Sequence, residues 1–185
     1  MSTTPPALPY KIAVLCYLFD DQGRLLLLHR HKAPNRDRYS PIGGKLEQAV
    51  GESPTACAVR EIHEETGLTV DPADLHLTGL VSETAYENQT HWLMFLYEVT
   101  RPVQLQATTF DEGALEWHPP EALAQLNIPD TDRQIIWPMF WKYRRGFFAL
   151  HLDCTSPQIT WEVQQRHPAP TPLPNPTPDP TLPID

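Results

Sequence analysis

The sequence has little of what marks secreted, membrane-spanning or nucleic-acid-coating proteins. Its three cysteines, Cys16, Cys57 and Cys154, are odd in number and widely spaced, which predicts reduced, mostly buried thiols and no disulfide framework. Basic residues are few: 14 Lys and Arg stand against 23 Asp and Glu, so the formal net charge is -9. No apolar run approaches the ~20 residues that span a bilayer, and the first residues lack a signal-peptide core. We therefore expect a cytoplasmic protein that binds neither a membrane nor a nucleic acid polymer.

Proline, by contrast, is abundant, and 8 of the 21 prolines lie between Pro168 and Pro183. The segment from Pro168 to Pro183 has few backbone donors and few apolar side chains, so it cannot form a packed core. We predict a disordered, Pro-rich tail over residues 167–185, with a ligand for a small recognition domain as the alternative. A flexible N-terminus over residues 1–9 and one domain over residues 10–166 complete the predicted organisation.

Apolar periodicity and turn residues predict a mixed α/β fold. The predicted strands are Tyr10–Phe19, Arg24–His31, Leu75–Tyr86, Thr90–Thr100, Leu115–His118, Phe147–Asp153 and Gln158–Gln165. Helices are expected between Ser53 and Gly67, over Pro119–Leu126, and over Thr131–Arg145, where Pro138 should kink or restart the helix. Strands on both sides of a central helix, with more helix near the end, indicate a sheet that helices cover on two faces.

The central helix has clear boundaries. Ser53 suits the N-cap, Pro54 the first helical position, and Gly67 the residue just past the end. An apolar stripe for a core is predicted at Thr55, Ala58, Val59 and Ile62.

Three carboxylates lie on a neighbouring face of the same helix. Glu61, Glu64 and Glu65 stand at i, i+3 and i+4, where like charges weaken a helix by roughly a few tenths of a kcal/mol per pair. A solvent-exposed surface is the ordinary explanation of such a face. Three oxygen donors in one patch also suit a hard divalent cation such as Mg2+, and the Gly43–Gly44 pair upstream lets backbone approach a ligand closely.

The block from Gly43 to Leu68 resembles the Nudix box, the signature of the Nudix hydrolase family. Glu52 is followed by seven residues and then by Arg60-Glu61-Ile62-His63-Glu64-Glu65-Thr66-Gly67-Leu68, which fits the second half of the family pattern at every specified position. The spacing from Gly44 to Glu52 is two residues longer than in the pattern, with Gln48-Ala49-Val50 in the loop. These extra residues should lengthen the loop without rotating the helix carboxylates.

The resemblance implies an α/β/α sandwich with a mixed β-sheet, and it implies roles for the box residues. Glu61, Glu64 and Glu65 are expected to be catalytic and to bind metal, together with the carbonyl oxygen of Gly43. Glu52 and Arg60 are expected to form a structural brace. The expected ion is Mg2+, with Mn2+ as an alternative.

Further residues could bind the rest of a substrate. Lys45 and Arg30 are candidates for phosphate binding, although exposed lysines and arginines are also ordinary surface residues. The C-terminal half resembles the oxidised purine nucleoside triphosphatases of the family. That resemblance implies a later metal-binding and catalytic carboxylate at Glu112 and base-binding residues at Asp132 and Ser40, where Ser40 replaces an Asn of those enzymes and Arg133 replaces a second acid.

Other clusters are better explained by structure. His29 and His31 share one face of a strand, but without a third convergent ligand they do not predict a metal site. Trp92, Phe95 and Tyr97 are expected in the core rather than in a base-stacking platform.

Together these features predict a Mg2+-dependent hydrolase, a monomer or homodimer, that cleaves a phosphoanhydride in a nucleoside diphosphate linked to another group. The predicted substrate is a nucleoside triphosphate, with an oxidised purine as one candidate, which would give the monophosphate and pyrophosphate. The alternatives are an ADP-ribose or nucleotide-sugar pyrophosphatase and a non-catalytic nucleotide-binding sensor.

Overall fold

The computed structural model describes residues 7–32, 36–106, 108–110 and 113–169. Its strands are β1 (Tyr10–Tyr17), β2 (Leu25–Arg30), β3 (Tyr39–Ser40), β4 (Leu75–Tyr86), β5 (Thr90–Val99), β6 (Thr108–Phe110), β7 (Gly113–His118), β8 (Phe147–Asp153) and β9 (Thr160–His167). Its α-helices are α1 (Pro54–Thr66) and α2 (Trp137–Tyr143). Most of the predicted Pro-rich tail, residues 170–185, and residues 1–6 lie outside the described ranges.

Two sheets organise the chain. A five-stranded mixed sheet has the order β1-β5-β4-β8-β9, in which β1 pairs with β5 and β4 with β8 in parallel. The smaller antiparallel sheet has the order β3-β2-β7-β6. The predicted strands Leu75–Tyr86 and Thr90–Thr100 correspond to β4 and β5, which form an antiparallel hairpin whose turn places Glu87 and Asn88 at positive φ.

The mixed sheet has a hydrophobic core on each face, as the alternation of its strands requires. On one face Ala13 and Tyr17 of β1 pack with Phe140 of α2, and Tyr17 stacks on Phe140 with ring centroids 3.8 Å apart. On the other face Val14 and Cys16 pack with α1. Helices therefore cover both faces, which confirms the predicted α/β/α sandwich with a mixed sheet.

The helices in the second half differ from the prediction in detail. Residues Pro120–Gln125 form a 3-10 helix instead of an α-helix. The predicted long helix begins as one π-helical turn, Asp132–Ile136, and continues as α2, with Pro138 in its first turn. Proline cannot donate to the preceding turn, so a restart at this point agrees with the alternative predicted for Pro138. None of the described helices is long and apolar enough to cross a bilayer.

Candidate active site

Helix α1 presents its carboxylates because its caps and its buried stripe fix its rotation. The Ser53 hydroxyl accepts a hydrogen bond from the Ala56 N–H at 3.2 Å, and Gly67 takes the left-handed conformation at the other end. The buried residues are Cys57, Ala58 and Ile62. The predicted stripe is confirmed at Ala58 and Ile62, whereas Thr55 and Val59 are only partly buried and Cys57, which the prediction left out, is buried.

The glycine pair lies beside α1 because it is held against the first strand. The carbonyl oxygens of Ile42 and Gly44 accept hydrogen bonds from Cys16 and Val14 at 2.7 and 2.9 Å. Gly43 has φ of 149°, and a Cβ at this position would overlap the carbonyl oxygen of Val14. Its N–H donates to Glu65 Oε2 at 3.2 Å. Only glycine suits this backbone position.

Gly44 has a separate steric reason to be glycine. A Cβ there would overlap the carboxylate of Glu61. The backbone of the glycine pair and the carboxylates of Glu61 and Glu65 are thus in direct contact, 17 or more residues apart in sequence.

Arg60 connects the loop to the helix. It binds Glu52 through two parallel hydrogen bonds, Nε to Oε1 at 2.8 Å and an Nη to Oε2 at 3.0 Å. It also donates to Glu61 at 2.7 Å, to Glu64 at 3.0 Å and to the carbonyl oxygen of Lys45 at 3.2 Å. One guanidinium therefore donates hydrogen bonds to three carboxylates and positions the end of the glycine segment.

The carboxylates around Arg60 have different protonation equilibria. Hydrogen bonds from Arg60 lower the pKa of Glu52 to about 2. The pKa of Glu61 is raised, because burial outweighs the lowering effect of Arg60. Glu64 is 57% exposed, so it contributes to the surface of the cluster rather than to its interior.

The longer loop forms a structure of its own. Residues Gln48–Val50 make one turn of 3-10 helix, which ends at Gly51 in the left-handed conformation. Val50 is exposed, and the N–H of Glu47 donates to Glu52 Oε2 at 2.8 Å. The loop thus projects into solvent while both of its ends remain attached to the brace, and α1 begins after it.

A cavity of about 310 Å³ brings many of the predicted site residues together. The predicted residues in its wall are Arg30, Ser40, Gly43, Lys45, Glu61, Glu65 and Asp132. Glu64, Glu52 and Arg60 are not in the wall, and Arg60 holds the other two from outside it. Glu112 lies outside the described residues.

Several residues of the wall were not predicted to belong to the site. Trp92 was expected in the core; it packs partly against the core but also lines the cavity, together with Tyr86 and Met94. Glu83 in β4 was missed entirely. A signal existed, because Glu83 occupies an inward position between Val81 and Ala85 in an alternating strand, where an acid is unexpected.

The donor set suits a divalent cation that prefers oxygen. Within the described ranges, no three His, Cys, Asp or Glu side chains are grouped so that they could enclose a metal ion. Two carboxylates, Glu61 and Glu65, beside glycine backbone are nevertheless the pattern in which Mg2+ is commonly held, with water and substrate phosphates completing the coordination. The residues present therefore fit such an ion.

The two strand histidines have structural contacts. His29 stacks on Tyr39 with ring centroids 4.4 Å apart, and His31 packs edge-on against His29. Glu116 accepts a hydrogen bond from the Tyr39 hydroxyl at 3.0 Å and lies 3.6 Å from His29 Nδ1. This cluster joins β2, β3 and β7 of the smaller sheet.

Known proteins with the same fold and sequence pattern are numerous. The NUDIX domain model matches residues 9–137. A Bacillus subtilis (strain 168) protein described as "Uncharacterized Nudix hydrolase YvcI" is 27% identical over 122 residues, which cover 65% of this chain and 73% of that protein.

Solved structures agree on the fold. A MutT protein from Bacillus halodurans matches with a TM-score of 0.63 at 24% identity, covering 83% of this chain and 97% of its own. The Nudix domain of Shewanella oneidensis NrtR, solved with ADP-ribose, matches with a TM-score of 0.57 at 17% identity, covering 73% and 90%. Because the family model covers more than half of the sequence, this chain belongs to the Nudix family, and it is a pyrophosphohydrolase of nucleoside diphosphate derivatives.

Proposed function

We propose that the protein hydrolyses a nucleoside triphosphate to the monophosphate and pyrophosphate in a Mg2+-dependent reaction, with Mn2+ as an alternative ion. Nudix hydrolases generally use divalent metal ions, and the choice of Mg2+ rests on the oxygen-only donors around the glycine pair. The observation that supports the substrate class is the single cavity shared by Glu61, Glu65 and Asp132. A polyphosphate at the first two residues leaves a base within the same cavity.

Each group in the wall has a part in this proposal. Glu61 and Glu65 would hold the ion, which supplies charge neutralisation at the phosphoryl oxygens and activates water. Arg60 keeps Glu61 in place from outside the cavity through its bond to Glu61 Oε1. Lys45 and Arg30 line the cavity and contribute positive charge near the phosphates, while Ser40 and Asp132 face the base. Glu64 and Glu112 remain proposed catalytic and metal-binding residues.

An ADP-ribose or nucleotide-sugar substrate is the second candidate. It is favoured by the likeness to the NrtR domain, which was solved with ADP-ribose. Such substrates have the same nucleoside diphosphate core but place a sugar where the triphosphate has its terminal phosphate. The cavity wall includes the cations Lys45 and Arg30, which favour the triphosphate.

One assay distinguishes the candidates. The protein is incubated with the common nucleoside triphosphates, 8-oxo-purine triphosphates, ADP-ribose and a nucleotide sugar, each with Mg2+, with Mn2+ or with EDTA, and the phosphate products are identified. We expect pyrophosphate from a triphosphate with metal and no product with EDTA. Cleavage of ADP-ribose only would overturn the triphosphate proposal, and binding of every nucleotide without cleavage would indicate a sensor.

A further inference from the structure

The cavity has a second acidic pair that the metal-binding residues do not include. Glu83 lies three residues before the end of β4, opposite Trp92 of β5 on one side and Leu152 of β8 on the other. Asp132 opens the π-helical turn before α2. The two carboxyls come from separate elements, 49 positions apart in sequence, and both line the cavity.

Each carboxyl is only partly satisfied within the protein: the side chain of Thr131 hydrogen-bonds Glu83 and that of Trp137 interacts with Asp132. Glu83 is 3% exposed, and its Oε1 atom has no hydrogen-bond partner among the described residues. Asp132 is partly exposed as a residue, but its Oδ1 atom is buried and, within the same ranges, also has no partner. A buried polar atom without a partner is costly and rare, so two of them in one cavity wall indicate that a ligand completes their hydrogen bonds.

The environment of the pair differs from that of the metal-binding pair. No described Lys or Arg side chain forms an ion pair with Glu83 or Asp132, whereas Arg60 serves Glu61. The nearby walls are aromatic and apolar: Trp92, Met94 and Ile136. Flat apolar surfaces beside unpaired acceptors suit a planar nitrogen heterocycle.

The protonation state of the pair allows it both to accept and to donate hydrogen bonds. Burial, reinforced by the charge of Asp132, raises the pKa of Glu83 to about 8, and burial raises the pKa of Asp132 to about 7. Near neutral pH the pair therefore contains both a carboxylate, which accepts, and a carboxylic acid, which also donates. A guanine-type edge offers two adjacent N–H donors and a carbonyl acceptor, and it can use all of these groups.

The titratable neighbours keep their protons over the same pH range. Burial raises the pKa of Tyr86 to about 12 and that of Cys154 to about 11, and it raises the pKa of Tyr17 well above its usual value. The positive charge of Arg38 partly opposes this rise in the pKa of Tyr86. Between pH 6 and 9 the charge of this group of residues thus changes through Glu83 and Asp132.

We propose that Glu83 and Asp132 together form the base-reading pair of this enzyme and bind the N–H edge of a guanine-type base. Glu83 supplies one acid from β4, and Asp132 supplies the other from the start of the π-helical turn. Arg133 itself donates to the carbonyl oxygens of Ala124 and Leu126, so it is engaged elsewhere. This inference rests on the proposed nucleotide substrate and names its base.

The test uses binding of product nucleotides, which needs neither metal nor hydrolysis. Dissociation constants for GMP, 8-oxo-GMP, AMP and CMP are measured by calorimetry without metal on the full chain and on the variants Glu83→Met and Asp132→Asn. We expect one of the two guanine nucleotides to bind tightest and each variant to weaken that binding about tenfold or more. Matched controls are Glu162→Gln and Asp130→Asn, both at exposed positions, which should change nothing.

Thermal unfolding and the pH dependence of binding distinguish the loss of a ligand contact from a folding defect. Glu83→Met removes a buried acid whose Oε1 atom has no partner among the described residues, so it should unfold at the same temperature as the parent or higher. The affinity of the parent for the guanine nucleotide should change between pH 6 and 9, and Glu83→Met should flatten this dependence. Equal binding of all four bases by the parent, or parental affinity in stable Glu83→Met, would overturn the inference.

The two proposals can fail separately. Base-selective binding that depends on Glu83, without hydrolysis of any triphosphate, would overturn the proposed reaction only. Hydrolysis of all triphosphates at equal efficiency, unchanged in Glu83→Met, would overturn the base-reading pair only.

Discussion

The carboxylates around Arg60 and the Glu83–Asp132 pair use the same kinds of side chain in opposite ways. Around α1, Glu52, Glu61 and Glu64 share the cation Arg60, and Glu52 keeps its charge down to a pKa of about 2. At the other acidic group, Glu83 and Asp132 have no cationic partner among the described side chains, and their pKa values are about 8 and 7.

The difference shows that the neighbours of a carboxyl, rather than its identity, decide its chemistry. Charged oxygens held by an arginine are suited to a metal ion and phosphates. Buried carboxyls that change protonation near neutral pH are suited to hydrogen bonding with an uncharged group of a ligand. One cavity can therefore serve both ends of a nucleotide.

The largest effect is expected on turnover, at the proposed metal-binding carboxylates of α1. Glu65→Gln should lower turnover by about two to three orders of magnitude, because it removes an anionic oxygen whose contribution to charge stabilisation is several kcal/mol. The fold should persist, since the change adds no cavity. Steady-state kinetics and Mn2+ affinity are measured beside Glu121→Gln, an exposed control. Parental turnover and ion affinity in Glu65→Gln would contradict its assignment as a metal ligand.

The second-largest effect is expected on stability, at the brace formed by Arg60 and Glu52. Arg60→Met should lower the free energy of unfolding at neutral pH by about 2 kcal/mol, because it removes the charged hydrogen bonds of Glu52. The folded-state pKa of Glu52 lies below its ordinary 4.5, so this contribution is present above about pH 4.5 and disappears as pH falls toward 2.

Urea unfolding of Arg60→Met at several pH values checks this, with exposed Arg166→Met as the control. The gap between the parent and Arg60→Met should narrow below pH 4.5. A gap that stays constant down to pH 2 would show that the Arg60–Glu52 pair does not contribute in this way.

The smallest effect is expected at the Glu83–Asp132 pair. Because the folded-state pKa values of Glu83 and Asp132 lie above those of free side chains, the folded protein binds more protons than the unfolded chain between about pH 4 and 8. Stability should therefore fall as pH rises through this window. Glu83→Met should reduce that fall, and each kcal/mol of the reduction corresponds to about 2–4 °C in Tm.

Thermal unfolding between pH 5 and 9, with Glu162→Gln as the control, measures this effect. An identical slope in the parent and Glu83→Met would mean that Glu83 titrates at its ordinary value and that the two acidic groups are more alike than the structure indicates.

Local patterns were sufficient to predict much of this molecule. The caps Ser53 and Gly67 determine where α1 lies, and the spacing of Glu61 and Glu65 places both on one face, because helical periodicity is a local property. The hairpin of β4 and β5 follows from alternation and turn residues in the same way. The helix types in the second half of the chain could not be predicted in this way, since propensity does not distinguish a 3-10 or π-helical turn from an α-helical one.

The sequence by itself therefore determined the fold class, the Nudix box and the donors that suit a metal ion, because each depends on residues close together along the chain. The tertiary structure alone decided that Gly44 lies against Glu61, that Arg60 joins three carboxylates, and that Glu83 and Asp132 line one cavity. Gly44 and Glu61 are 17 positions apart in sequence, and Glu83 and Asp132 are 49 apart. The burial that shifts the pKa values of these carboxyls exists only after the sheets and helices have packed.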